Sequence, residues 1–404
     1  MVYSDFTLKE VTHRFRLHTE ENPDVFSEVP EGEVSALLQS LLQVYVPLAL
    51  AIHTAKARSE FMIAPLLAEV LTHAPCPVSL FSGVDFPVAP EQGLNGVCDF
   101  LISLSAEQLF ITAPIVVIVE AKNENLKGAL GQCAAEMVAA QLFNERERHP
   151  IPTLFGVATT GSLWQFLKLH GKTLTIDRRE YHIERIAKIL GILMWMIRTA
   201  MAYNDFTLDT LIAQFSLQVQ EESNYFTPFA PLSMSDLLRQ TLQENVPLAL
   251  DISTEKARSE FIIAPVLLEV RRQLDHRISL FSGVEFNVNP EQGLRGVCDF
   301  LLSLSPLQLT IQAPVIMVVE AKNENVKQGI SQCIAEMLAA QQFNQERHNA
   351  LETVYGVVTT GSAWKFLRLT RTSVMVDATE YHISQVERVV GILVAMIKEA
   401  AGGV

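Results

Sequence analysis

Two short stretches of the sequence end an apolar run with a carboxylate and an ammonium group. Residues 116–125 read VVIVEAKNEN, and residues 316–325 read IMVVEAKNEN. Because successive side chains of a β-strand point to opposite faces, Glu120 and Lys122 lie on the same face. A solvated strand end would explain one such pair, but its repetition beside a further acid favours a functional site.

A further carboxylate accompanies each pair. Asp99 stands between GVC and the apolar run FLISL, and Asp299 has the same position before FLLSL. If the two strands pair antiparallel, Asp99 lies beside Glu120 at one edge of the sheet. Two adjacent carboxylates oppose each other's ionisation, and a bound cation relieves this cost. The predicted metal ligands are Asp99, Glu120, Asp299 and Glu320.

A hard divalent cation at such a site would support phosphodiester hydrolysis. Mg²⁺ or Mn²⁺ takes oxygen ligands, and Mg²⁺ commonly uses only one or two protein carboxylates. The ion polarises the scissile phosphate and generates hydroxide, while a lysine stabilises the negative charge that accumulates. The predicted catalytic residues are Asp99, Glu120 and Lys122 in one half and Asp299, Glu320 and Lys322 in the other.

Two further residues are candidates for an accessory role. Glu60 lies on the preceding helix and supplies a third carboxylate, or else forms an ion pair with Lys56 one turn earlier. Gln132 shares a helix face with Glu136 and orients a phosphate or the lysine, or else only links sheet and helix through hydrogen bonds. The second-half counterparts of the two candidates are Glu260 and Gln332.

An internal duplication dominates the chain of 404 residues. Asp99 and Asp299, like Trp164 and Trp364, are 200 positions apart, and about half of all positions are identical in this register. Much of the shared sequence is polar, including EQGLxGVCDFL and TTGSxWxF, and core packing alone explains apolar identity better than polar identity. The sequence therefore predicts two tandem domains, 1–200 and 201–404, joined near residues 200–230.

Each half is predicted to be an α/β domain with a central mixed sheet flanked by helices. The segment 33–52 is apolar at helical spacing, with Pro47 expected to break or kink it. Thr54 is expected to cap the next helix, and Asn123 and Asn125 are interpreted as turn and cap residues. The other predicted elements are a helix to about residue 70, strands at about 78–88, 97–105 and 114–121, a helix at about 127–146, a hairpin of TLFGVATT and LWQFLKL, an exposed loop at Tyr181 and His182, and a closing helix at about 183–202.

Composition and charge restrict the partners of the protein. With 31 Lys and Arg against 45 Asp and Glu, the formal net charge is −14. Proteins that bind a nucleic-acid backbone usually carry a basic surface, so nucleic acid is a possible partner but avid binding is not expected. The five Cys are scattered without disulfide or zinc spacing. Neither a membrane span nor a secretory segment is expected, which favours a cytoplasmic protein with reduced thiols.

The order of the elements, with Asp followed about twenty residues later by Glu-x-Lys, resembles the PD-(D/E)XK nuclease superfamily. Each half is also similar to a group of uncharacterised bacterial proteins assigned to that superfamily. The resemblance covers about residues 30–170 and 230–370. It implies two tandem restriction-endonuclease-like domains in which Asp and Glu bind metal and Lys positions or activates water. The glutamate of the upstream helix and the glutamine of the downstream helix match accessory positions of many members.

The sequence departs from this superfamily at two places. Cys98 and Cys298 precede the aspartate, where the family often has Pro. Glu136 and Glu336 stand four residues after the accessory glutamine, where several relatives have Tyr. An additional acid at this position is expected to oppose the approach of a phosphate backbone.

Three functions stay open on the sequence. A Mg²⁺-dependent nuclease whose halves mimic a homodimer agrees with the intact residue sets in both halves. A binding or regulatory protein that keeps the fold and the metal site without cleaving nucleic acid agrees with the acidic net charge. A metal site for a small phosphorylated molecule also agrees with that charge, although the sequence has no phosphate-binding Gly loop.

Overall fold

The computed structural model describes residues 1–402 with the exception of Pro23, Asn125 and Ala350. Each half forms its own mixed eight-stranded sheet with flanking helices. This confirms the predicted fold class of two tandem α/β domains. In the described part of the chain, no helix is both long enough and apolar enough to cross a membrane.

The chain forms two compact units, and the boundary between them lies between Ala200 and Met201. The division lies at the start of the expected range 200–230. Residues Tyr203–Asp205, Leu208–Phe215 and Gln218–Glu222 already form a 3₁₀ turn, a helix and a strand of the second unit.

The helices of the two described units occupy equivalent positions. Those of the first unit are α1 (Leu8–Phe15), α2 (Ala36–Ile52), α3 (Ala55–Arg58), α4 (Ala64–His73), α5 (Leu126–Arg146) and α6 (Ile186–Ala200). Those of the second unit are α7 (Leu208–Phe215), α8 (Asp236–Ile252), α9 (Glu255–Arg258), α10 (Ala264–Gln273), α11 (Ile330–Glu346) and α12 (Val386–Ala400).

The strands of each unit form one sheet. Those of the first unit are β1 (His18–Asn22), β2 (Ser79–Asp85), β3 (Val97–Ser103), β4 (Ile115–Ala121), β5 (Thr153–Thr159), β6 (Leu163–His170), β7 (Thr173–Asp177) and β8 (Tyr181–His182). Those of the second unit are β9 (Gln218–Glu222), β10 (Ser279–Glu285), β11 (Val297–Ser303), β12 (Val315–Ala321), β13 (Thr353–Thr359), β14 (Ala363–Thr370), β15 (Ser373–Asp377) and β16 (Tyr381–His382).

The strand order places β4 in the middle of the first sheet. The order is β1-β7-β6-β5-β4-β3-β2, with β8 paired to β6, and the second sheet repeats it. Strand β4 is antiparallel to β3 and parallel to β5. It contacts both α5 and α6, and all of its residues are buried. The prediction of a central strand covered on both faces is therefore confirmed.

The helix that precedes the sheet begins where the sequence predicts. The Thr54 hydroxyl accepts the backbone N–H of Ala57 at 3.1 Å, which satisfies one of the free N–H groups of a helix start. A π-helical segment, Ser59–Ile63, connects α3 with α4, and Ser259–Ile263 repeats it. Such segments insert one residue into a helix and are frequent at functional sites.

Some expectations about local structure need correction or completion. Helix α2 continues through Pro47 and is not broken by it. Pro47 has no N–H to donate to the carbonyl of Gln43. Because Gln43 is exposed, water can bond to that carbonyl instead. Tyr181 is not in an exposed loop: it pairs with Trp164 in the sheet, and its hydroxyl donates to Asp177. The predicted cap at Asn125 lies outside the described residues, but the Asn325 side chain does accept the N–H of Lys327 in the second unit.

Candidate functional site

The two acids of the predicted site lie on neighbouring antiparallel strands. The pairing of Phe100 with Val119 places Asp99 beside Glu120 at one edge of the sheet. The Asp99 Oδ2 atom accepts the backbone N–H of Ala121 at 2.8 Å. The start of β3 is thereby fastened to the end of β4, and the predicted meeting of the two carboxylates is observed.

Lys122 projects to the same place as Glu120. Its Nζ lies 2.7 Å from Glu120 Oε1, and the Glu120 side chain is only 1% exposed whereas that of Lys122 is 34% exposed. Burial, with a smaller contribution from the nearby Asp99, raises the pKa of Glu120 to about 8, although Lys122 opposes the rise. The lysine therefore contacts solvent at a site whose glutamate is held inside the protein.

Gln132 connects the lysine to a second buried acid. Its Oε1 accepts from Lys122 Nζ at 2.9 Å, and its Nε2 donates to Glu136 Oε1 at 3.0 Å. Both side chains lie on the face of α5 that packs on the sheet and are buried. The glutamine thus orients the lysine, one of the roles expected for it, through an interaction between helix and sheet.

The structure corrects the expectation that Glu136 repels a phosphate backbone. The Glu136 side chain has no solvent exposure. Burial raises the pKa of Glu136 well above its ordinary value, and the charge of Glu120 adds to this rise. Because the protonated carboxyl is favoured, Glu136 presents little charge to an approaching phosphate.

The second unit repeats this arrangement. The Asp299 Oδ2 atom accepts the N–H of Ala321 at 2.7 Å, and Lys322 forms an ion pair with Glu320. Lys322 also donates to Gln332 at 3.2 Å, and Gln332 donates to Glu336 at the same distance. Burial and, second to it, Asp299 together raise the pKa of Glu320 to about 8, against the effect of Lys322.

The accessory glutamates lie on the π-helical segments. Glu60 forms an ion pair of 2.8 Å with Lys56, the alternative that the spacing offers, and its side chain is 52% exposed. Glu260 pairs with Lys256 in the same way at 3.0 Å. Glu260 also borders a pocket of about 230 Å³ together with Asp299. A glutamate of this helix therefore lies close to the aspartate in the second unit while keeping its lysine partner.

Sequence reasoning missed a buried arginine that supports the site. Arg58 donates to the Thr160 carbonyl at 2.8 Å, to Ser162 Oγ at 3.0 Å and to Asn123 Oδ1 at 3.1 Å. It fastens the end of α3 to the β5–β6 turn and to the residue that follows Lys122. The signal was present in the sequence, because RSE and TTGS occur in both halves.

The side chains at the site offer carboxylate oxygens to a divalent cation. In the described residues, no group of three or more His, Cys, Asp or Glu converges as a metal site. However, Oε2 of Glu120, Glu136, Glu320 and Glu336 is buried in each case and receives no hydrogen bond from an N–H or hydroxyl group, which leaves a proton or a cation as its partner. Buried carboxylate oxygens without a donor are costly. Mg²⁺ keeps several water ligands and commonly uses only one or two protein carboxylates. Asp99 with Glu120, and Asp299 with Glu320, therefore fit such an ion.

Comparisons of the chain with protein-family models, with curated proteins and with solved structures found no match. The function of this chain is therefore inferred from the geometry of the site. That geometry consists of two nearby carboxylates, a lysine at the solvent boundary and a buried acid behind them, and it occurs once in each unit.

Proposed function

We propose that each half is a divalent-cation site for phosphodiester hydrolysis, and that the protein is a Mg²⁺-dependent nuclease of the PD-(D/E)XK type. The observation that carries the proposal is the Oε2 atom of Glu120, which is buried beside Asp99 and receives no hydrogen bond from an N–H or hydroxyl group, so that only a cation or a proton shared with Asp99 can satisfy it. A cation would balance the two acids and would allow both to ionise. The same atom of Glu320 supports an equivalent site in the second half.

The residues of the chain divide the chemical work between them. Asp99 and Glu120 would hold Mg²⁺ or Mn²⁺, which when bound polarises a phosphate oxygen and acidifies a water molecule. Lys122 is placed to neutralise charge that develops on the phosphate or to orient the attacking water. Gln132 holds the lysine in position. Glu136, buried behind the pair, adds no negative charge to the site while it is protonated.

A non-catalytic binding or regulatory function is the second candidate. The formal net charge of −14 favours it, because nonspecific affinity for nucleic acid comes from basic side chains that replace counterions. The fold and the cation site would then be kept without cleavage of a strand. Hydrolysis of a small phosphorylated molecule is compatible with the same charge.

The first test is a calorimetric titration of the full chain with Mg²⁺ and with Mn²⁺. We expect binding to the wild-type protein and loss of binding in the double variant Asp99→Asn/Asp299→Asn. The wild-type protein is then incubated with plasmid, single-stranded DNA, RNA and a small phosphodiester, each with and without Mn²⁺.

The outcomes separate the candidates. Metal-dependent cleavage of a polynucleotide that the double variant lacks supports the nuclease. Metal binding without cleavage of any substrate favours the binding protein. Absence of binding up to millimolar metal, in the presence and absence of oligonucleotide, contradicts the cation site itself.

A further inference from the structure

A pocket in the second unit adjoins the candidate site. It has a volume of about 230 Å³, and eight residues line it. Its charged residues are Glu255, Lys256, Glu260 and Asp299, and the other four are two serines, a glycine and a phenylalanine. One predicted metal ligand and two further carboxylates therefore border the same solvent-accessible space.

The first half has the same residues at seven of these eight positions. The exception is residue 255, which is a glutamate in the second half and corresponds to Ala55 in the first half. Both residues directly follow the threonine that caps the helix. The duplication thus contains a natural substitution of one carboxylate within an otherwise identical set of residues.

Glu255 lies within electrostatic reach of the site. Partial desolvation raises the pKa of Glu255, Lys322 lowers it and Asp299 raises it. The side chain of Lys322 is 20% exposed, against 34% for Lys122. The lysine of the second half is therefore more covered than its counterpart and has an additional acid near it.

The buried carboxyls next to the pocket are the observation that links it to a cation. Glu320 is adjacent to Asp299, and its Oε2 atom is buried without a donor, as is that of Glu336 behind it. The carboxyls of Glu320 and Glu336 lie within hydrogen-bond distance of each other, and a proton between them or a bound cation is what their Oε2 atoms can accept. A third carboxylate at the pocket increases the negative potential that such a cation experiences.

On these observations, and on the basis of the proposed metal-dependent function, we infer that the two halves are unequal cation sites and that Glu255 makes the second half the tighter one. Since no three acids converge directly in the described residues, Glu255 acts through its charge and through a water molecule on the ion. Affinity for hard cations rises with the number of charged ligands, and Mg²⁺ retains water that an outer carboxylate can bind.

The experiment compares single-site forms of the full chain by Mn²⁺ calorimetry. Asp99→Asn leaves only the second site, and Asp299→Asn leaves only the first. We expect the Asp99→Asn protein to bind Mn²⁺ about tenfold more tightly, which corresponds to about 1.4 kcal/mol. In that background, Glu255→Gln should remove the advantage. In the Asp299→Asn background, Ala55→Glu should raise the affinity of the first site.

A matched control changes an equal charge away from the pocket. Glu352→Gln is suitable, because this exposed residue precedes β13 whereas the site lies beside the other end of that strand. Equal affinities of the two single-site proteins, or an unchanged affinity after Glu255→Gln in a folded protein, overturn the inference while leaving the metal site intact. Absence of Mn²⁺ binding in the wild type overturns the proposed function and the inference together.

Discussion

The backbone N–H of Ala121 donates a hydrogen bond of 2.8 Å to the carboxylate of Asp99, and Ala321 forms the same bond with Asp299 at 2.7 Å. A residue proposed to bind metal therefore also fastens two strands. Substitutions at this position have two separable effects, one on the cation and one on the sheet, and the choice of replacement decides which effect is observed.

Asp99→Asn and Asp99→Ala should differ in stability but not in metal binding. Asparagine keeps an oxygen that can accept the Ala121 N–H, so we expect a change below about 0.5 kcal/mol in the free energy of unfolding. Alanine leaves that N–H without its partner and should cost about 1–3 kcal/mol. Both should abolish Mn²⁺ binding by the first half. Urea unfolding and calorimetry check this, and retained binding in Asp99→Asn would argue against a ligand role.

The stability of the metal-free protein should fall as the pH rises from about 5.5 to about 8.5. The pKa of Glu120 rises from 4.5 to about 8 on folding. Between these values the folded chain binds more protons than the unfolded chain, so the free energy of unfolding decreases with pH. The slope for one carboxyl is at most about 1.4 kcal/mol per pH unit.

Glu120→Gln/Glu320→Gln should flatten this dependence, because the amides do not titrate. Melting temperatures measured by calorimetry at several pH values provide the test. Addition of Mn²⁺ should raise the melting temperature of the wild type, and at pH values below the pKa of about 8 it should also release protons. A wild-type protein that becomes more stable toward pH 8.5 without metal would contradict the assigned burial of these acids.

Arg58→Met should destabilise the first unit by about 3 kcal/mol. The substitution removes three hydrogen bonds from a charged donor and leaves the Thr160 carbonyl unpaired in the interior. It should also weaken Mn²⁺ binding, since Asn123 follows the site lysine directly and loses the donor to its Oδ1 atom, keeping only its bond to the His53 carbonyl. Ser162→Ala, which removes one partner only, is the control and should cost about 1 kcal/mol. Equal urea midpoints for the two variants would show that Arg58 is not an anchor.

Gly131→Ser should loosen the packing of residues 6–8 on α5. A Cβ at residue 131 would lie 2.6 Å from the Leu8 backbone nitrogen, and the Phe6 carbonyl is in contact as well. We expect about 1–3 kcal/mol of destabilisation from this overpacking. The second half already has Ser331 at this position, so Ser331→Gly should cost less than about 1 kcal/mol. Hydrogen exchange of residues 1–17 would locate the effect.

Local patterns in the sequence were sufficient for most of the sheet and for the core of the site. The alternation and apolar runs predicted β2 to β6, and the antiparallel pairing of two of these strands placed Asp99 beside Glu120. They did not predict β1, because all five of its residues are exposed and it exists through parallel pairing with β7 at the sheet edge. An edge strand of polar residues has no apolar alternation to recognise.

The sequence by itself determined the duplication, the two α/β units and the acids and lysine at the end of a central strand. Only the tertiary structure decided that Glu136 is buried and which residues surround Glu255. Alanines on several sides of α5 hide which face is buried, so a sequence pattern cannot tell a buried acid from an exposed one. The proximity of Glu255 to Asp299 and Lys322 joins residues far apart in the chain, and it arises only when helix and sheet pack together.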